Sequence, residues 1–212
     1  MSGTYEEGSM AVKKAAKEHF QLRKCVDCGK TMVGRRENYS YSECGLRSVI
    51  LLNIQVFHCE CGAIVPEIPS PSSLHFCIAI QVLQKKTLLS AEEVRFLRKV
   101  AGYSAVDFSK VLGMQNSSLS HWETGSKPIG KDADRLVRLA CFARIVENWA
   151  GSEGTLAQRA ERLVRVTQGL NLTCALEQIE DRTAGSESVR INPSMLAGLE
   201  LHAPTEARTI LQ

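Results

Sequence analysis

The sequence predicts a mainly α-helical protein with a small β module near its N-terminal end. Three observations carry that expectation. Cysteines come in two close pairs, Cys25-Val26-Asp27-Cys28 and Cys59-Glu60-Cys61, with β-forming residues between them. From Ser70 to Asn148 apolar residues recur at helical spacing, and cap residues punctuate them. One of these helical segments is apolar on one side and carries only small or medium hydrogen-bonding side chains on the other. The chain accordingly divides into an N-terminal arm (1–21), a cysteine module (22–69), a connecting helix (70–87), a helical domain (88–148), and a helical extension with a polar tail (149–212).

Composition narrows the function classes. With 212 residues and 44% hydrophobic content, the chain can bury a core as one large domain or two small ones. No apolar run approaches the roughly 20 residues that span a bilayer. The first ten residues are polar and lack the apolar centre of a secretion signal. The expectation is a cytoplasmic protein with no membrane association. Eight cysteines in such a chain favour reduced thiols and metal binding over a disulfide framework. Cys77 and Cys141 sit in apolar helical runs and read as small core residues. Charge is unevenly spread. Residues 85–144 hold eleven Lys/Arg against six Asp/Glu, whereas residues 145–212 hold six against nine. Positive charge in the helical domain suits attraction to phosphate.

In the cysteine module each pair brings two soft sulfur ligands onto one short turn, and two such turns close a tetrahedral zinc site. Both pairs run into glycine, Cys28-Gly29 and Cys61-Gly62, which accepts the positive φ such turns require. Val49, Ile50, Leu51, Ile54, Val56 and Phe57 predict a strand that pairs with the polar and aromatic segment 35–42 and feeds the second turn. This is the layout of a zinc ribbon. So small a module needs the metal in place of a core, and structural zinc contributes about 10 kcal/mol or more to folding. The expected ligands are Cys25, Cys28, Cys59 and Cys61, binding one structural Zn2+ per chain. The C-x-C spacing of the second pair leaves two alternatives open: His58 with Cys61 as H-x2-C, or Cys44 as a substitute ligand.

Cap signals order the helices. Ser70-Pro71 reads as an N-cap followed by a first-turn proline. The helix they open is apolar on more than one face, so it must be covered by the ribbon or by another subunit. Ser90-Ala91-Glu92-Glu93 is a capping box, and Val94, Leu97 and Val100/Ala101 form one buried stripe before Gly102. Ser104 caps a second helix, with Phe108, Val111 and Leu112 directed inward and Gly113 as its stop. A third short helix runs to Gly125, with Leu119 and Trp122 inside and Gln115, Asn116, Ser117, Ser118 and His121 outside. A fourth extends from about Gly130 to Asn148 with Ala133, Leu136, Val137, Ala140 and Phe142 as its apolar side. Beyond it, residues 152–168 and 172–181 predict two more helices, and from Thr183 onward the polar composition predicts a tail that is in large part mobile unless bound.

Helix, tight turn and helix with a slim polar outer face is what reading the major groove requires. Residues 89–145 resemble the Cro/phage-repressor (XRE) helix-turn-helix family, and Leu119-Ser120-His121-Trp122-Glu123-Thr124-Gly125 is similar to its I-S-x-W-E-x-G signature. A zinc ribbon in front of such a domain resembles the MqsA-type antitoxins with their YgiT-type zinc finger. In Phe57-His58-Cys59-Glu60-Cys61-Gly62 that family's second cysteine turn appears with one residue deleted. The resemblance covers residues 22–145 and implies a Cro/repressor-like five-helix domain behind the ribbon. By position it puts base reading on Asn116, Ser117 and His121, with Gln115 and Ser118 beside them. Lys127 and Lys131 are the expected phosphate contacts, with Lys99 and Lys110 as further candidates. Two positions depart from the family: Ala105 replaces a glutamine that contacts the backbone, and His121 replaces a basic residue.

The resemblance therefore implies a homodimeric repressor on a palindromic double-stranded operator, and an antitoxin that represses its own operon and binds a ribonuclease-type toxin. The alternative is a zinc- or redox-responsive regulator with no toxin partner. An enzyme is not expected: the chain has no H-E-x2-H, P-loop, G-x-S-x-G or dinucleotide fingerprint. Gly151-Ser152-Glu153-Gly154 reads as a helix cap.

Overall fold

The computed structural model describes residues 22–68, 70–151, 155, 157–158, 160–161, 164 and 188–192. The arm before Leu22, the helix expected at 172–181, and Cys174 lie outside the described residues. The helix expected at 152–168 is described only at isolated positions.

The described part of the chain opens with a sheet. β1 (Leu22–Lys24), β2 (Thr31–Ser40), β3 (Val49–His58) and β4 (Ile64–Pro66) pair antiparallel in the order β1-β2-β3-β4. The long β2–β3 hairpin carries the sheet, with Val33 opposite His58 at one end and Ser40 opposite Ile50 at the other. Midway the register slips between Glu37 and Tyr39. Asn53 takes the extra position with φ of 51°, a left-handed conformation that asparagine tolerates, and its N–H donates to Asn38 Oδ1 at 3.0 Å.

Five helices follow among the described residues: α1 (Pro71–Leu83), α2 (Ala91–Val100), α3 (Ala105–Val111), α4 (Asn116–Thr124) and α5 (Lys131–Ala150). Their starts obey the local chemistry. Ser70 and Ser104 accept from the backbone N–H of Ser73 and Asp107, and Ser90 and Glu93 form a reciprocal capping box. The many-sided apolar surface of α1 is covered within the chain: Phe76 stacks on Trp149 of α5 at 4.3 Å, and Leu74, Ile78, Ala79, Val82 and Leu83 are buried.

A fifth strand, β5 (Val189–Ile191), runs parallel to β3 along Val49–Leu51. It lies on the same edge of β3 that β4 occupies further along, opposite Val56–His58. Within the stretch after Thr183, much of which was expected to be mobile, this segment is held: Val189 and Ile191 are buried, and Arg190 O accepts from Gln81 of α1 at 3.2 Å. One buried cluster joins the closed end of the hairpin (Tyr41, Val49, Leu51), and Ile54 and Val56 further along β3, to β5 and all five helices. The cysteine end of the sheet has its own small cluster of Cys25, Met32, Phe57 and Cys59.

Two helix faces differ from expectation. On α5 the buried residues are Asp134, Val137, Arg138, Cys141, Ile145, Val146, Trp149 and Ala150, while Leu136 is 42% exposed. The inward face is thus rotated, because a charged pair occupies it. Arg138 Nε lies 2.5 Å from Asp134 Oδ2, and its Nη atoms donate to the carbonyls of Val82, Leu83, Lys85 and Thr87 at 2.7–3.1 Å. Asp134 Oδ1 accepts from Leu89 N–H at 2.8 Å. The pair thereby satisfies the last carbonyls of α1 and secures the link to α2. A second buried pair, Lys85–Glu93 at 2.8 Å, braces the same link. On α3, Val111 is 53% exposed, while Phe108, stacked on Tyr103, and Leu112 at the C-cap are buried in the core.

Candidate metal centre and polar helix face

β1 leads into β2 through Cys25–Lys30, and β3 leads into β4 through Cys59–Ala63. Each is a tight turn closed by backbone bonds: Cys25 N–H to Lys30 O at 2.8 Å and Cys59 N–H to Ala63 O at 2.9 Å. Gly29 and Gly62, at φ of 71° and 94°, return their N–H groups to Cys25 O and Cys59 O at 3.0 Å. Because β2 and β3 are antiparallel with Val33 beside His58, the start of one and the end of the other coincide, and both turns emerge at the same end of the sheet.

The result is a cluster of four sulfurs, Cys25, Cys28, Cys59 and Cys61, all within 4.8 Å of one another. Cys25 Sγ lies 3.7 Å from Cys61 Sγ, and Cys28 Sγ lies 3.4 Å from Cys59 Sγ. A tetrahedron of thiolates about 2.3 Å from a zinc has edges of about 3.8 Å, so the cluster can hold a metal ion of that kind with small adjustment. The backbone N–H groups of Cys28 and Asp27 hold the Cys25 thiol down at about 7. Cys28 is pulled down by the Lys30 N–H, yet it is pushed up to about 12 by the neighbouring thiols, Cys59 foremost. One thiolate forms readily, but four this close need a cation between them. Cys25 and Cys59 are buried and Cys28 and Cys61 exposed, so one side of the cluster faces the small core and the other faces water. Lys30 and Glu60 join the two turns at 3.1 Å, an exposed contact of small energetic weight.

The two alternative ligands point elsewhere. His58 Nε2 lies 2.9 Å from Glu37 Oε1, and the Cys44 thiol donates to Tyr41 O at 3.4 Å.

The second feature is α4. Leu119 is fully buried, and Trp122 is half-buried against the core. The exposed side carries Asn116, Ser117, Ser120, His121 and Thr124 at helical spacing, with Gln115 exposed at the N-cap. Ser118, expected outside, is half-buried. Lys127 is exposed in the following turn, where its N–H donates to His121 O at 3.2 Å. Lys131 opens α5 and is half-buried. Lys99 is exposed on α2, and Lys110 lies 3.7 Å from Asp107 within α3. Sequence reasoning missed Ser120 and Thr124; stepping three or four residues from Asn116 and Ser117 finds them.

The orientation of α4 is fixed from α2. Arg98 grips the Glu123 carboxylate through Nε at 2.5 Å and Nη2 at 3.0 Å, and Nη1 donates to Tyr103 O at 2.9 Å. Arg95 donates to Glu123 O at 2.6 Å. Glu123 is thus an inter-helix anchor. No helix among the described residues is long and apolar enough to cross a membrane. Comparison of the chain with protein-family models, curated proteins and solved structures finds no match.

Proposed function

We propose that the protein is a sequence-specific DNA-binding transcriptional repressor, with a zinc ribbon at its N-terminal end and a helix-turn-helix domain behind it. In this reading α3 and α4 are the two helices of the motif, and α4 is the recognition helix in the major groove. The single observation that carries the reading is the exposed polar face of α4, held rigidly by Leu119 beneath it and by the Arg98–Glu123 pair beside it. Asn116, Ser117 and His121 supply donors and acceptors to base edges, with Gln115 and Ser118 flanking them. Lys127 and Lys131 approach phosphates. Two chains bind a palindrome with half-sites roughly 34 Å apart. The metal is one Zn2+ on Cys25, Cys28, Cys59 and Cys61. Four thiolates leave no open coordination position, so its role is structural. The wider reading, an antitoxin that represses its own operon and binds a toxin, rests on the motif resemblance.

The test is a mobility-shift titration against duplexes selected from a random pool. The double variant Asn116→Ala/His121→Ala is expected to lose sequence-specific shifts while its circular dichroism stays unchanged. Unchanged binding by that variant removes the base-reading assignment. The second reading, a redox-responsive regulator, is favoured by the exposure of Cys28 and Cys61. Zinc release by a mild thiol oxidant, with loss of DNA binding, supports it; retention of both rejects it.

A further inference from the structure

A chain of hydroxyls lies behind His121 in the turn that ends α4. His121 Nδ1 is 2.9 Å from Ser126 Oγ, Ser126 Oγ is 3.1 Å from Thr124 Oγ1, and Thr124 Oγ1 is 2.8 Å from Ser120 O. Each hydroxyl has a single proton. A carbonyl only accepts, and Ser120 O is the shortest of the Thr124 contacts, ahead of Ser126 Oγ at 3.1 Å and His121 O at 3.3 Å, so it takes the Thr124 proton. Ser126 then meets Thr124 Oγ1 favourably only by donating to it. With that proton committed, Ser126 Oγ can only accept from His121, and Nδ1 carries the hydrogen. The reverse arrangement, Ser126 donating to Nδ1, requires Thr124 to turn its proton to Ser126 Oγ, exchanging the 2.8 Å bond to Ser120 O for a 3.1 Å contact. Ser126 has one other acceptor in reach, His121 O at 3.3 Å; donating there also requires the hydrogen on Nδ1.

A neutral imidazole with Nδ1–H leaves Nε2 as a bare acceptor. His121 is exposed, and its Nε2 makes no hydrogen bond among the described residues. We infer that Ser126 and Thr124 lock His121 in the Nδ1–H tautomer, so that Nε2 accepts a hydrogen bond and selects an amino-bearing base, adenine or cytosine, on the contacted strand. The inference rests on the DNA-reading role proposed above. Adenine N6–H2 and cytosine N4–H2 are the donors of the major groove, whereas guanine O6 and N7 and thymine O4 are acceptors that leave the Nε2 lone pair unmatched. Ser126 and Thr124 are positioning residues: they set which atom of His121 faces the base.

Two measurements test this on the full-length, zinc-loaded protein. Long-range proton–nitrogen correlation on histidine-labelled protein, at a pH above imidazole titration, reads the tautomer without DNA. Wild-type His121 is expected to carry its proton on Nδ1, and Ser126→Ala and Thr124→Val are each expected to move it to Nε2. Both substituted positions are exposed, so the core is not at stake. A wild-type proton on Nε2 overturns the inference. Selection from randomised duplexes then finds the position whose preference His121→Ala erases. Adenine or cytosine is expected there, and Ser126→Ala should lower discrimination at that position by roughly tenfold. If wild type selects a sequence with guanine or thymine at that position, or if Ser126→Ala leaves the preference intact, the tautomer lock is wrong while DNA reading stands. If wild type enriches no duplex, the DNA-reading proposal fails and base selection fails with it.

Discussion

Arg98 of α2 and Glu123 of α4 form a two-pronged ion pair, Nε to Oε1 at 2.5 Å and Nη2 to Oε2 at 3.0 Å, with both side chains nearly covered. They are brought together across α3, the one helix that lies between them in sequence order. α4 contributes only Leu119 as a fully buried anchor, so the pair supplies the orientation that apolar packing does not. Replacing Arg98 by Met strands a largely buried carboxylate and frees Tyr103 O. A loss of about 2–4 kcal/mol in urea unfolding is expected, because removing one partner of a covered pair costs more than the pair contributes. A change below about 0.5 kcal/mol would mean the pair behaves as an exposed one.

The cysteine cluster makes a compositional prediction. Metal analysis is expected to return one zinc per chain, and Cys59→Ser to abolish it, while His58→Ala and Cys44→Ser retain it. The small core of Cys25, Met32, Phe57 and Cys59 is too slight to hold that end of the sheet unaided. Chelation should therefore speed amide exchange over the two cysteine turns. The closed end of the hairpin shares the helical core and should remain protected. Loss of protection throughout the chain would show that the metal supports the whole fold.

Arg138 is fully buried and donates to four carbonyls besides its contact with Asp134. Arg138→Met leaves Asp134 an unpaired buried carboxylate and removes the donor from the end of α1. A cost of about 3–5 kcal/mol is expected. Arg138→Lys should recover little of it, because a single ammonium cannot span the carbonyls that a guanidinium fork reaches. Equal stability of the Lys variant and wild type in denaturant titrations would refute this account.

His75 sits between Tyr41 and Phe96 where the sheet meets α1 and α2, with Nε2 3.0 Å from the Tyr41 hydroxyl. Burial lowers its pKa. In the unfolded chain the imidazole takes up its proton near about 6.5. Below that pH the unfolded state binds more protons than the folded one, so stability falls as pH drops. The loss stops growing once the lowered folded value is passed. Unfolding midpoints at pH 7.5 and 5.5 should differ more for wild type than for His75→Gln. Equal differences would show that His75 makes no contribution to acid sensitivity.

The apparent exceptions to the sequence reading share one cause. Leu136 was expected on the apolar side of α5, which instead buries the pair Asp134 and Arg138, four residues apart. Their burial follows from carbonyls some fifty positions earlier in the chain, which no window along α5 contains. β5 was missed for a similar reason. Three residues in a polar stretch have no period, and Val189 and Ile191 become strand residues only because β3 leaves that part of its edge open. Ser120 and Thr124 were within reach of helical spacing.

What the sequence alone determined is whatever acts within about four residues: the serine caps of α1, α2 and α3, the glycines that turn each cysteine pair, and the apolar interior of β3. These are short-range bonds and steric allowances, and they operate wherever the segment lies. Only the tertiary structure decided which four sulfurs converge, which side of α5 faces inward, and what holds α4 at its angle. Strand register sets the first, and carbonyls and carboxylates on remote segments set the others. Those partners meet only when the chain has folded.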